Sequence, residues 1–266
     1  MNVKILKIAV FITATMLSVS GCASAPAGTR QLELVSVDMD SSEHDYNFGI
    51  SASFENSDSF ETEDIVVSEN ANKDILNTIP VEHGESDVFL DMLDEDNGYL
   101  LYCGGPAAGL MEKYIYFTND RWETYDKIDI SSKIDGYPTS FAALSSERLY
   151  IGTQLRGDGY LFETTDSGEN WESVSVDNDI EHCRYGYVPA LDASADAFYT
   201  LLDLERDGKE GAYCLYKLDD RQDKWDKAGT YDAGFDLPIK SFYMYDGGLY
   251  IDLNDGLYKI NMEFLK

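Results

Sequence analysis

From residue 87 to the C-terminus, short apolar and aromatic runs alternate with turns rich in Gly and Asp, and the alternation is periodic. Four runs align without gaps, namely Gly98–Tyr102, Arg148–Gly152, Ala197–Leu201 and Gly248–Asp252, with starts 50, 49 and 51 residues apart. Each is followed by a further run (Lys113–Phe117, Gly159–Phe162, Ala212–Tyr216, Gly256–Ile260) and preceded by another (Val88–Leu93, Thr139–Leu144, Tyr187–Leu191, Ile239–Met244). Trp122, Trp171 and Trp225 are expected to open a fourth strand in the first three units, while the fourth unit reaches Lys266 without one. Runs of this length and composition between turn residues are strand signals. A fixed period near 50 residues with four strands per unit predicts an all-β chain folded as a small β-propeller. The physical reason is that each small sheet is apolar on both faces, so only stacking against neighbours buries both.

The pattern fades upstream. Asn47–Ala52 and Asp64–Ser68 lie about one period before Gly98 and Lys113, and Leu32–Val37 reads as a first strand. Residues 87–266 are therefore read as the four-repeat propeller and residues 31–86 as a degenerate N-terminal blade, about five blades in all. The alternative is four blades plus an N-terminal closing strand, since the C-terminal unit needs a strand from elsewhere.

The first 21 residues have a different character. Lys4 and Lys7 precede an apolar run from Ile8 to Val19, the layout of a secretory signal, which is set aside in reading the fold. The run ends in Leu17-Ser18-Val19-Ser20-Gly21-Cys22-Ala23, which resembles the lipobox of bacterial lipoproteins. That resemblance implies cleavage of residues 1–21 and a lipid on Cys22, the one covalent group expected; a diacylglycerol thioether plus an N-acyl chain would satisfy the requirement for more than one chain in stable anchoring. Residues 22–30, small and containing Pro26 and Gly28, then form a flexible tether. The implied address is extracytoplasmic, lipid-anchored to the bacterial cell membrane or envelope.

One turn stands out within the repeats. Thr164, Asp166, Gly168 and Trp171 have the spacing Ser/Thr-x-Asp-x-Gly-x-x-Trp. An Asp at a turn accepts hydrogen bonds from backbone N–H groups just ahead of it, and Gly takes a positive φ without steric cost. The segment resembles the Asp-box of BNR-repeat proteins, a superfamily of sialidase-like and assembly-factor-like propellers. The resemblance implies a structural role for these four residues, with the box closing the turn between a blade's third and fourth strands on the face away from any active site. Trp122 and Trp225 are read as structural blade tryptophans. Around Trp225, Asp220 keeps the Asp position while Leu218 and Gln222 replace Thr and Gly; around Trp122 the turn reads as shortened and the pattern as lost.

Charge narrows the partners. With 50 acidic and 20 basic residues the net charge is −30, which argues against nucleic acid, whose phosphates need basic patches. The same charge disfavours lying flat on anionic lipid. Tyr 19, Phe 12 and Trp 3 make the chain too aromatic for disorder. Cys103, Cys183 and Cys214 remain beyond Cys22, an odd number with no metal-ligand spacing, and His44, His83 and His182 are isolated, so no metal site is expected. The resemblance raises one enzyme possibility, an exo-acting sialidase-like glycosidase. Such enzymes need three arginines converging on a carboxylate, a Tyr nucleophile assisted by Glu, and an acidic acid/base residue. Only seven arginines follow the signal (Arg30, Arg121, Arg148, Arg156, Arg184, Arg206, Arg221), and Arg184-Tyr185-Gly186-Tyr187 is the one Arg/Tyr cluster among them. No catalytic residue is assigned. The expectation is a non-catalytic propeller that binds or scaffolds an envelope protein, peptide or glycan, with the glycosidase as the alternative and an acidic, cation-buffering surface protein behind both.

Overall fold

The computed structural model describes residues 33–37, 50–56, 62–69, 74–82, 87–107, 110–154, 160–177, 183–189, 197–206, 209–219, 223–232, 239–245 and 247–261. Cys22, residues 22–30 expected as a tether, the three histidines, Arg30, Arg156, Arg221 and Asp220 lie outside them. All regular structure among the described residues is β, in nineteen strands.

The four repeats are four-stranded antiparallel units. The first is β5 (Asp87–Met92), β6 (Gly98–Ala107), β7 (Leu110–Thr118) and β8 (Asp126–Asp129), in that spatial order. The second is β9 (Tyr137–Ala143), β10 (Leu149–Gln154), β11 (Leu161–Thr164) and β12 (Glu172–Ser173). The third is β13 (Cys183–Tyr187), β14 (Tyr199–Arg206), β15 (Lys209–Asp219) and β16 (Lys224–Asp232). The fourth has β17 (Ile239–Tyr245), β18 (Gly248–Leu253) and β19 (Gly256–Ile260). Its outer strand is β1 (Leu34–Val37), which pairs antiparallel with β19 in the register Leu34↔Ile260 to Val37↔Leu257. Leu34–Val37 is thus not the first strand of an N-terminal unit. β2 (Ile50–Asn56), β3 (Thr62–Glu69) and β4 (Asp74–Glu82) form a separate three-stranded sheet. In the third unit the first strand ends at Tyr187 rather than starting there, because Val188 and Pro189 leave the ladder and Pro has no N–H to give it.

Apolar side chains on both faces of these sheets are buried by the neighbouring unit. Ile65, Val67, Ile79 and Val81 of the three-stranded sheet pack with Leu100, Tyr102, Tyr116 and Trp122. On the other face of that unit, Leu101, Cys103 and Ile115 pack with Phe141, Ile151 and Phe162 of the next. A third core joins the second, third and fourth units through Tyr150, Leu161, Leu202, Leu215, Trp225, Phe242 and Ile251. At roughly 25 cal/mol per Å² of apolar surface removed from water, such two-sided burial is what makes sheets this small stable together when none would be alone. Polar groups add specific ties: the buried carboxylate of Asp91 accepts from the backbone N–H of Ala143 at 2.6 Å, linking the first strands of adjacent units.

Candidate functional site

Because strands alternate in direction, every unit has two distinct edges. One carries the turns between third and fourth strands, Thr118–Thr124 and Thr164–Asn170. The other carries the starts of the first strands and the ends of the second, where Tyr137, Gln154, Tyr185 and Asp203 lie.

The turn edge is stiff, and its two turns are the same device. Thr164 Oγ1 donates to Asp166 Oδ1 at 2.8 Å and accepts from the N–H of Gly168 at 3.0 Å. Asp166 in turn accepts from the backbone and side chain of Asn170, at 2.8 and 2.7 Å. In the preceding unit Thr118 Oγ1 donates to Asp120 at 2.8 Å and accepts from the N–H of Trp122 at 3.0 Å. Asp120 accepts from the N–H and Oγ1 of Thr124 at 2.9 and 2.6 Å. This turn is neither shortened nor lost. Trp122 occupies the place of Gly168, and both have positive φ, 67° and 92°. It does not open the fourth strand, which starts at Asp126, and Tyr125 stands where the second unit has Trp171. Trp171 does directly precede β12, its Nε1 donating to Gly168 O at 3.2 Å. Trp225 is the second residue of β16 and meets Tyr150 edge-on, with centroids 6.0 Å apart.

These hydrogen bonds hold Asp166 ionised. The N–H and side-chain amide of Asn170 and the hydroxyl of Thr164 pull its pKa from 3.8 to about 2, and Thr124 and Thr118 lower that of Asp120 in the same direction. A carboxyl with a depressed folded pKa contributes stability above its unfolded value and loses it as pH falls through the folded one. The turns are therefore expected to loosen between about pH 4 and pH 2. Asp166→Asn should flatten that limb of the stability curve, read from urea midpoints at pH 6, 4 and 2.5; an unchanged pH dependence would contradict the geometry.

A Tyr–Glu–Arg contact also occurs here. Tyr150 OH donates to Glu163 Oε1 at 2.8 Å, and Arg148 Nε donates to the same oxygen at 2.5 Å while its Nη2 reaches Asp223 at 2.6 Å. Tyr150 is fully buried between Phe198 and Trp225, and burial followed by the Glu163 charge pushes its phenol pKa up. That is the reverse of what a phenolate nucleophile needs, so the contact is a packing and charge tie between units.

The opposite edge is chemically different. β13 carries a bulge: Cys183 pairs with Leu204 and Tyr185 with Asp203, leaving Arg184 as the extra residue. A bulge bends its strand and re-aims a side chain, and here Arg184 Nη2 donates to Asp203 Oδ2 at 2.7 Å. The Asp203 side chain is 2% exposed and that of Arg184 21%. Arg184 also lies over the Tyr185 ring, 5.6 Å from its centroid, and Tyr185 stacks on Tyr187 at 6.1 Å. Exposed Gln154 donates from Nε2 to Tyr185 OH at 3.2 Å, and Gln154 is the Cα partner of both Tyr137 and Tyr185. The single pairing Gln154↔Tyr185 joins the second and third units into one eight-stranded sheet. Gly186 makes this junction possible: a Cβ there would sit 2.1 Å from Tyr160 O. Cys183, behind Arg184, is buried with a thiol pKa raised by burial and then by the Asp203 charge. Among the described residues no three His, Cys, Asp or Glu side chains converge as a metal site requires.

No protein-family model matches the chain, and no curated protein matches it. Solved structures do. NanB plus Optactamide superposes with TM-score 0.52 at 14% identity, over 77% of this chain and 36% of that one. NanB is a propeller sialidase. The fold of this chain is a β-propeller. At 14% identity the likeness extends to the fold and not to the site. YCF48 bound to a D1 peptide is matched with TM-score 0.40 and 13% identity over 87% of this chain and 68% of that one. BBS1N in complex with ARL6DN gives 0.43 and 10% over 79% and 63%. The chain spans less than two thirds of the length of both NanB and BBS1N.

Proposed function

We propose that this is an extracytoplasmic lipoprotein, anchored through lipid on Cys22, whose BNR-type propeller binds an envelope protein, peptide or glycan without catalysis. The edge formed by Tyr137, Gln154, Arg184 and Tyr185 is the binding surface. One observation carries the reading: at this edge the guanidinium of Arg184 is held by Asp203, while exposed Gln154 lies between half-buried Tyr137 and Tyr185 and donates to the Tyr185 hydroxyl. Aromatic faces with a few neutral donors suit recognition by stacking and hydrogen bonding. A sialidase-like reaction is disfavoured, because the Tyr150–Glu163–Arg148 contact lies on the turn edge with its phenol buried.

The test is direct binding. Peptidoglycan fragments, neutral oligosaccharides and solubilised envelope proteins are titrated against the intact protein. Tyr185→Ala should weaken the ligand that binds by about tenfold, the loss of roughly 1–2 kcal/mol typical of an aromatic anchor. Glu169→Ala on the turn edge should leave it unchanged. Turnover of a fluorogenic sialoside by wild-type protein would contradict the proposal.

A further inference from the structure

We propose that the anchored protein presents its turn edge to its own membrane and its Tyr137–Gln154–Tyr185 edge away from it. The partner is then met from the far side, as a soluble molecule or one projecting from another surface, and not as a component embedded beside the anchor. The inference rests on the anchoring at Cys22 proposed above.

The register of β1 carries it. Leu34 pairs with Ile260, the last residue of β19, and Val37 with Leu257 near the start of β19. Just before Leu34, Glu33 is fixed by the N–H of Asn261 to its carbonyl at 2.9 Å and by Asn261 Nδ2 to its carboxylate at 3.1 Å. The end of the third strand is where the first two units place the Thr118–Thr124 and Thr164–Asn170 turns. The chain from Cys22 therefore joins the fourth unit at the position equivalent to those turns. Entry at the other edge would require β1 to run parallel to β19, and it runs antiparallel.

Length and charge then set the stance. Ten residues separate Cys22 from Glu33, so the reach is at most about 35 Å. Strands such as β10 put the two edges about 20 Å apart, so rolling the far edge onto the bilayer would consume most of that reach. The turn edge itself is acidic: Glu95, Asp96, Glu123, Glu147 and Glu169 are exposed there. Anionic headgroups repel such a surface, which keeps the domain standing off on its tether.

Two single-cysteine variants of the full, lipidated protein test this, Glu147→Cys in the turn that follows β9 and Asp135→Cys just before β9, beside Tyr137. Both positions are exposed, and the native Cys103, Cys183 and Cys214 are buried, so labelling is selective. The labelled proteins are reconstituted into phosphatidylcholine–phosphatidylglycerol vesicles carrying an acceptor dye on a headgroup. Energy transfer should be at least about twofold greater from position 147 than from 135, since β9, about 20 Å long, lies between them. Equal or greater transfer from position 135 on acylated, vesicle-bound protein overturns the orientation. Intact mass showing no acyl chain on Cys22 overturns instead the anchoring on which it rests.

Discussion

Replacing Trp122 by alanine should lower the unfolding free energy by about 3–5 kcal/mol, the range for emptying a large aromatic from a core. The indole is fully buried and lies in the core shared by the three-stranded sheet and the β5–β8 unit. Its Nε1 donates to Met92 Sδ at 3.3 Å, and its carbonyl accepts from Asn77 Nδ2 of β4 at 2.7 Å. Beside it, Arg121 pairs with Glu69 of β3. The turn is thus the clamp that fastens the N-terminal sheet to the repeats. A positive φ makes the prediction sharper, because an L-residue in that region pays about 1–2 kcal/mol that glycine does not. Trp122→Gly should therefore be less destabilised than Trp122→Ala, by about 1 kcal/mol. Urea unfolding of the two variants decides it: an alanine variant as stable as wild type, or more stable than the glycine variant, would contradict the turn geometry.

Gly186→Ala is expected to cost about 1–3 kcal/mol, the usual penalty for forcing atoms into a filled space. The obstacle is backbone, Tyr160 O at 2.1 Å from the added carbon, so no side chain can swing aside. The carbonyl is itself held by the N–H of Thr153 at 3.0 Å, and Gly186 O accepts from Thr139 Oγ1 at 2.5 Å. Relief must come from moving β13 away from β10, which opens the Gln154–Tyr185 contact. Stability and ligand binding should fall together in this variant, whereas Trp122→Ala should lower stability while leaving affinity intact at temperatures where it is folded. Gly186→Ala protein with unchanged stability and affinity would count against the junction as described.

The periodic part of the chain was readable because its signal is local. A run such as Gly248–Asp252 is β-branched, aromatic and bounded by Gly and Asp, and β18 forms there as expected. What distant pairing decides was less readable. Leu34–Val37 has strand character whichever partner it takes, and only the register with Leu257–Ile260 settles that it completes the last unit. Trp122 misled for a different reason. A tryptophan reads as the apolar start of a strand, and a bulky residue is not expected where glycine is favoured. The surer signal was polar, since Thr118, Asp120 and Thr124 repeat the spacing of Thr164, Asp166 and Asn170. At the candidate site, Arg184 and the two tyrosines could be singled out as a cluster. The bulge that turns Arg184 back onto Asp203 could not, because a bulge is a property of two strands and the spacing within one does not encode it.

The pairing of β1 with β19 supports both the completion of the last unit and the edge at which the chain enters it, and a designed cross-link tests it most directly. Val35 and Lys259 are Cα partners on the outer strands, and both are exposed. In a Val35→Cys, Lys259→Cys double variant expressed with export, the two thiols should oxidise to a disulfide without loss of fold, since facing Cα atoms in an antiparallel ladder fall within about 4.5–5.5 Å. Peptide mapping should recover residues 35 and 259 joined, and the cross-linked protein should unfold at higher urea than its reduced form. Two free, labelled thiols in folded protein would show that the N-terminal strand lies elsewhere.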